Sequence, residues 1–164
     1  MGMIRDPLPN VQAEKGNSFM PVNIIKKPEW GLLYYHFRGY CTSAETIRAA
    51  QEIATEALGG KIESEGKAMT IFDFLEGELD IEQKDVRQIL AMNKQLFESG
   101  KVTSHAAILT QSRTLEIFVK AVELMSFNVP TKIDTFPALI DGLKWLGLTQ
   151  HEQELKELLG SLRK

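Results

Sequence analysis

The chain lacks the features that would place it in a membrane or outside the cell. Its 164 residues include one cysteine, Cys41, so no disulfide can form within the chain and a reducing compartment is expected. The N-terminus has no basic-then-apolar leader pattern. No uncharged apolar run approaches the ~20 residues that cross a bilayer. These absences predict a cytoplasmic protein with no integral membrane segment.

Excess positive charge is also lacking. The chain has 19 Lys and Arg against 22 Asp and Glu, for a formal net charge of −3. Such a chain has no basic field to attract nucleic acid, so no nucleic-acid partner is expected. A hydrophobic content of 43% and a charged content of 25% are typical of an ordinary globular protein. The length fits one domain with extensions.

Recognisable catalytic and metal-binding motifs are absent. There is no Gly-rich phosphate loop, Gly-x-Ser-x-Gly elbow, Cys-x-x-Cys pair or Walker pattern. Of the three histidines, only His151 has a carboxylate at i+3, Glu154, and no third ligand completes a metal pattern. The prediction is a protein with no catalytic residues, no metal and no cofactor.

Two polar groups and the cysteine are the nearest approach to a chemical site. Tyr34, His36 and Arg38 alternate along one predicted strand and would bind an anion if that face were open, although a solvated face is favoured. Cys41 precedes a helix start that would lower its pKa, although a structural role is favoured. An acidic turn can serve acid–base work or hold Mg²⁺, but helix-start acids are explained by the macrodipole alone; its members are Asp73, Glu76, Glu78, Asp80 and Glu82.

What the chain does contain is an alternation of short apolar strands and amphipathic helices. Strands are predicted at 22–29, 32–40, 68–74, 105–110 and 131–136. Helices are predicted from Thr42 to 58, from Asp80 (paired with Gln83 as N-cap and N3) to 99, and at 112–127, 136–148 and 149–164. Right-handed crossovers then predict an α/β fold with a mixed sheet of about five strands and helices mainly on one face. The predicted organisation is a flexible arm at 1–20, a domain at 21–148 and an extra C-terminal helix at 149–164.

The helix predicted from Ser112 to Phe127 is apolar on two sides. One stripe contains Leu115, Phe118, Val119, Val122 and Met125, and the opposite stripe contains Ile117, Ala121 and Leu124. A helix with two apolar stripes needs two partners. The C-terminal helix, with Leu155, Leu158, Leu159 and Leu162, either docks on the second stripe within the chain or forms a dimer contact. The predicted docking residues are therefore Ile117, Ala121, Leu124, Leu155 and Leu159.

Several local patterns occur in an order that resembles a known family. They are Gly31-Leu-Leu-Tyr-Tyr-His-Phe-Arg-Gly39 before a capped helix, Thr70-Ile-Phe-Asp-Phe74, Ala106-Ala-Ile-Leu109, Ile117-Phe-Val-Lys-Ala-Val-Glu-Leu124, and Phe136-Pro-Ala-Leu-Ile-Asp-Gly-Leu-Lys-Trp-Leu-Gly147. From Val22 to Leu148 the chain resembles STAS-like proteins, the fold of anti-sigma-factor antagonists and of sulfate-transporter C-terminal domains. It is most similar to stand-alone bacterial proteins of unknown function in which this fold is grouped with the CRAL-TRIO fold.

The resemblance implies a non-enzymatic regulatory module that binds a protein partner or itself. In the antagonists, an Asp-Ser-Ser-Gly-like segment after the third strand carries a phosphorylated serine. The corresponding stretch here, Asp80-Ile-Glu-Gln-Lys-Asp85, has no Ser or Thr, so this phosphoswitch does not carry over. The binding residues that the resemblance favours are Leu79, Asp80, Glu82 and Gln83.

Two other functions stay open at this point. A carrier of a small apolar or lipid-like ligand is the alternative, because Tyr34, Tyr35, Phe37 and the second stripe suggest surplus apolar surface. An enzyme would need His36 or the acidic turn to face a common pocket.

Overall fold

The computed structural model describes residues 22–58, 63–64, 67–80, 82, 84–85, 87–88, 91, 103–125 and 131–162. The predicted arm at 1–20 lies outside these residues. The strands are β1 (Val22–Lys27), β2 (Leu32–Cys41), β3 (Glu63–Ser64), β4 (Lys67–Leu79), β5 (Thr103–Leu109) and β6 (Thr131–Phe136). The helices are α1 (Ser43–Leu58), α2 (Arg113–Met125), α3 (Leu139–Leu146) and α4 (Glu152–Leu162), with 3-10 turns at Pro28–Trp30 and Thr149–His151. Residues 84, 85, 87, 88 and 91 are also helical.

The sheet is mixed, with the order β1-β2-β4-β5-β6 and the short β3 beside β4. β1 runs antiparallel to β2, while β2, β4, β5 and β6 are mutually parallel. The predicted α/β class, with five main strands and a C-terminal helix, is confirmed. Each new parallel strand is added on the same side of the one before it, so right-handed crossovers place their helices on one common face.

Helices cover both faces of this sheet. On the crossover face, Ala49 of α1 and Val119 of α2 pack with Leu33 and Phe37. On the opposite face, Leu143 of α3 and α4's leucines pack in a second cluster, which contains Leu32, Tyr34, Ile71, Leu155 and Leu159. The helices α1 and α2 of the crossovers share one face, as the crossover rule predicts, and the two helices that follow β6, α3 and α4, pack on the other.

The C-terminal helix packs within the chain. Leu155 is fully buried and Leu159 is 7% exposed, both against the sheet face opposite α2. Lys27 Nζ lies 2.7 Å from Glu154 Oε2, and this hydrogen bond raises the pKa of Lys27. The Trp30 and His151 rings stack with centroids 3.7 Å apart. Leu155 and Leu159 are therefore core residues, and their prediction as part of a docking surface with α2 is corrected.

The start of α1 follows the predicted capping box. Thr42 N donates to Glu45 Oε1 at 3.0 Å, and Glu45 N donates to Thr42 Oγ1 at 3.3 Å. These reciprocal bonds satisfy backbone donors that a helix start otherwise leaves free. They fix the direction in which the chain leaves β2 and enters the crossover face.

Candidate functional site

A row of polar pairs crosses from β2 to β4 on the face that α3 and α4 partly cover. At its buried end, Tyr34 is fully buried and its hydroxyl donates to Asp73 Oδ2 at 2.5 Å. The other carboxylate oxygen, Asp73 Oδ1, accepts from Leu75 N at 3.0 Å. A buried carboxylate needs such donors. Asp73 therefore ties the two strands together and also supports the local backbone of β4.

A β-bulge in β4 aligns the rest of the row. His36 pairs in register with Asp73, but Arg38 pairs with Glu76, so three steps on β4 match two on β2. Because side chains alternate between faces, one extra residue reverses the face of everything that follows. The bulge therefore moves Glu76 onto the face of Asp73 and turns Leu79 toward the crossover face, where it packs against the core.

Glu76 receives two partners from β2. His36 Nε2 lies 3.1 Å from Glu76 Oε1, and Arg38 Nε lies 3.8 Å from the same oxygen. Because a carboxylate oxygen only accepts, Nε2 carries the imidazole proton. His36 is 1% exposed, and its Nδ1 has no hydrogen-bond partner among the residues described. A general base must reach the proton it removes, and Nδ1 is closed to solvent in this conformation.

At the exposed end of the row, Tyr40 donates its hydroxyl proton to Asp80 Oδ2 at 2.6 Å. Tyr40 is 63% exposed. The hydrogen bond to Asp80 raises the pKa of Tyr40, with smaller contributions from burial and from Glu78. The row therefore passes from a fully buried pair at Tyr34 to a solvated pair at Tyr40.

These pairings join the two polar groups that the sequence suggested separately. The acidic stretch from Glu76 to Leu79 is the end of strand β4 and not a turn, and its Glu76 pairs with both His36 and Arg38 on β2. His36 and Arg38 therefore offer no free positive pair for an anion. The residues described hold no group of three or more His, Cys, Asp or Glu side chains placed to bind a metal.

The predicted binding residues do not form one surface. Leu79 packs on the crossover face, whereas Asp80 pairs with Tyr40 on the other. Glu82 is exposed, and its backbone N donates to Asp85 Oδ2 at 2.8 Å. This bond is typical of a helix start at Glu82 instead of Asp80. Gln83 lies outside the described residues.

Two small cavities lie at the carboxyl ends of the parallel strands. One, of about 240 Å³, is lined by Leu79, Ser112, Leu115, Phe118 and Thr110 among others. The second, of about 310 Å³, also contacts Thr110. Crevices at this end of a parallel sheet commonly bind ligands, but typical ligand pockets span ~300–1,000 Å³. The first cavity is below this range and the second is at its lower limit, so each has room only for a small molecule.

Cys41 is buried and its thiol is deactivated. Burial, followed by the charge of Glu45, raises the pKa of Cys41 from 9.0 to about 11. The suggested lowering by the nearby helix start is therefore wrong, because loss of hydration outweighs it. Cys41 Sγ lies 3.7 Å from the carbonyl oxygen of Gly39. Cys41 is a packing residue of the crossover face.

The outer stripe of α2 is exposed. Ile117 is 59% exposed, Leu124 is 77% exposed and Ala121 is also at the surface. On the inner side, Val119 is 5% exposed and Leu115 packs against the core. The described side chains follow the two stripes predicted from the sequence, and those of Val122 and Met125 lie outside the described part of the chain. Of the five predicted docking residues, the structure thus places three at the surface of α2 and the two from α4 in the core.

The sequence reasoning missed the Tyr34–Asp73 pair and the buried Asp85, which is 4% exposed. The alternation of Tyr34 and His36 along the predicted strand did indicate which β2 side chains belong to the row of polar pairs. Nothing in the sequence signalled the bulge that selects the partners on β4. No helix in the described part of the chain is long and apolar enough to cross a membrane. Comparison with protein-family models, curated proteins and solved structures found no match.

Proposed function

We propose that this protein is a non-enzymatic binding and regulatory module that contacts another polypeptide through the outer stripe of α2. The observation that carries the proposal is the exposure of Ile117 and Leu124 on a helix whose other side buries Val119 in the core. Leucine at 77% exposure gains nothing from the fold itself. A contact that covers it would stabilise a complex without any change in the core.

The rim of the stripe suits a reversible protein contact. Arg113 pairs with Glu116 at 3.1 Å, and Lys120 pairs with Glu123 at 3.8 Å. An apolar centre with a polar rim is the usual arrangement of an interface. The three stripe residues cover much less than the ~800 Å² per partner of a standard stable interface. The contact is therefore expected to be weak and reversible, which suits regulation.

The polar groups give little support to an enzyme. His36 and Glu76 are paired with each other, and Nδ1 of His36 is closed to solvent. Cys41 has a raised pKa, the opposite of what a nucleophile needs. The resemblance to STAS-like regulators points the same way, without the phosphorylated serine.

The carrier alternative rested on two sources of apolar surface, and the first of them, the aromatic residues of β2, is not exposed. Tyr34, Tyr35 and Phe37 are fully buried in the two clusters that flank the sheet. The second source, the outer stripe of α2, is exposed on the surface of a helix. Detection of a co-purified apolar ligand by native mass spectrometry would support the carrier function instead.

The proposal is tested by Leu124→Glu, with Ile24→Glu as the matched control. Ile24 is 39% exposed and lies on β1, far along the chain from α2, so both variants replace an exposed aliphatic with the same charge. Sedimentation velocity over a wide concentration range should show that the wild type self-associates. Leu124→Glu should weaken this association, and Ile24→Glu should leave it unchanged.

A photo-crosslinking residue at Ala121, used in cells, identifies the partner as a second copy or as another protein. Crosslinked products that form from position 121 and disappear in the Leu124→Glu variant would support the stripe as the contact. The proposal would be overturned if the wild type stays monomeric and if no crosslink from position 121 depends on Leu124.

A further inference from the structure

β6 is the last strand in the sheet order, and among the residues described it pairs only with β5. Phe136 accepts a hydrogen bond on that side, from Thr110 N at 2.9 Å. The N–H and C=O of one residue point to the same side of a strand, and successive residues alternate. Thr131, Ile133 and Thr135 therefore direct their backbone groups to the outer edge of the sheet.

One of these outward donors is already occupied. Asp134 Oδ1 accepts a hydrogen bond from Thr135 N at 2.8 Å. Lys120, on helix α2, places its Nζ 3.4 Å from the same oxygen. An incoming strand would need the Thr135 N–H for its own carbonyl, and it would have to displace a carboxylate that carries an ion pair.

We propose that Asp134, positioned by Lys120, guards the outer edge of β6 against the addition of another strand. Exposed edges are sites of unwanted pairing, and charged side chains on them are a common protection. The other outward residues give no such protection, since Thr131, Ile133 and Thr135 are all β-branched and favour strands. With the guard removed, the edge would take up an extended segment, and the nearest available one is β6 of a second copy.

The effect of the guard is measured with Asp134→Thr in the Leu124→Glu background, which removes the α2 stripe from the assay. Thr has no carboxylate to cover the Thr135 N–H, and it is a good strand residue. By sedimentation velocity, we expect a concentration-dependent dimer and an association constant raised about tenfold or more, since each copy frees a donor for pairing. Asp134→Asn is the matched control, because its amide oxygen still accepts from Thr135 N; it should remain close to the parent.

Two further variants separate edge pairing from misfolding. In the same Leu124→Glu background, Lys120→Gln removes the ion pair to Asp134 without adding an apolar side chain to α2, and it should give a smaller increase in association. Lys132→Thr removes a charge from β6 but not the guard, and should leave association unchanged. Hydrogen exchange at the Thr135 amide should speed up in dilute Asp134→Thr and slow again as the dimer forms.

The proposal is overturned if folded Asp134→Thr sediments like its parent at every concentration. It is also overturned if Lys132→Thr associates as strongly as Asp134→Thr. If Asp134→Thr fails to fold, as judged by loss of its thermal transition, Lys120→Gln decides alone, and an unchanged sedimentation profile for this variant overturns the proposal.

Discussion

The Tyr34 hydroxyl donates to Asp73 Oδ2 over 2.5 Å, and both residues lie in the interior between β2 and β4. The pair is the buried end of a row that continues through His36 and Glu76 to the exposed pair of Tyr40 and Asp80. The same kind of hydrogen bond therefore occurs in this protein at both extremes of solvation. Its energetic value is expected to differ accordingly.

Tyr34→Phe should destabilise the fold by about 1–3 kcal/mol, because it leaves a buried carboxylate oxygen without its donor. Tyr40→Phe is the matched control, since it removes the corresponding hydroxyl from a solvated pair, and should change the free energy of unfolding by less than about 0.5 kcal/mol. Urea denaturation followed by circular dichroism measures both. Equal effects in the two variants would show that burial does not set the value of the pair.

Gly77→Ala should destabilise the fold, because a Cβ on Gly77 would lie 2.9 Å from the carbonyl oxygen of Phe37. That contact is with backbone, so the strand itself would have to move. Gly160→Ala is the control in α4, where a Cβ meets nothing within 4 Å, and it should stabilise by about 0.5–1 kcal/mol. Thermal melts should shift in opposite directions, and a neutral Gly77→Ala would contradict the close approach of β2 and β4.

Leu155→Ala should cost about 2–5 kcal/mol of stability, as expected for a fully buried leucine in a packed core. It should leave the association state unchanged, since α4 packs within its own chain. Leu124→Glu should do the reverse, weakening association while the melting temperature changes little. A Leu155→Ala protein with normal stability but altered assembly would indicate that α4 docks on another copy.

Cys41 should resist alkylation by iodoacetamide at neutral pH, because burial raises its pKa to about 11 and the thiolate is the reactive form. The reaction should accelerate when urea unfolds the protein. The linked stability is fully present below pH 9, where both states are protonated, and is lost as the pH rises from 9.0 toward about 11 and the unfolded thiol ionises first. Rapid labelling of the folded protein at neutral pH would refute the assignment of Cys41 to the core.

The local sequence patterns were sufficient to predict the helices and strands and their order along the chain. The Thr42–Glu45 capping box, the alternation from Leu32 to Tyr40 and the two stripes of α2 are each set by neighbours in sequence. Such short-range signals depend on the helix and strand periods, so they are readable without a fold. The α/β class follows from them, as does the separation of Ile117 and Leu124 from the stripe that contains Val119.

Tertiary structure decided which residues meet. The bulge between Asp73 and Glu76 has no sequence signature, yet it sets which carboxylates, on β4 and directly after it, meet His36 and Tyr40. The position of α4 also depended on the rest of the fold, because its apolar face can pack on any apolar surface, and it is the sheet face opposite α2 that buries Leu155 and Leu159. The periodicity of the chain thus specified its helices and strands, whereas long-range packing and register chose their partners.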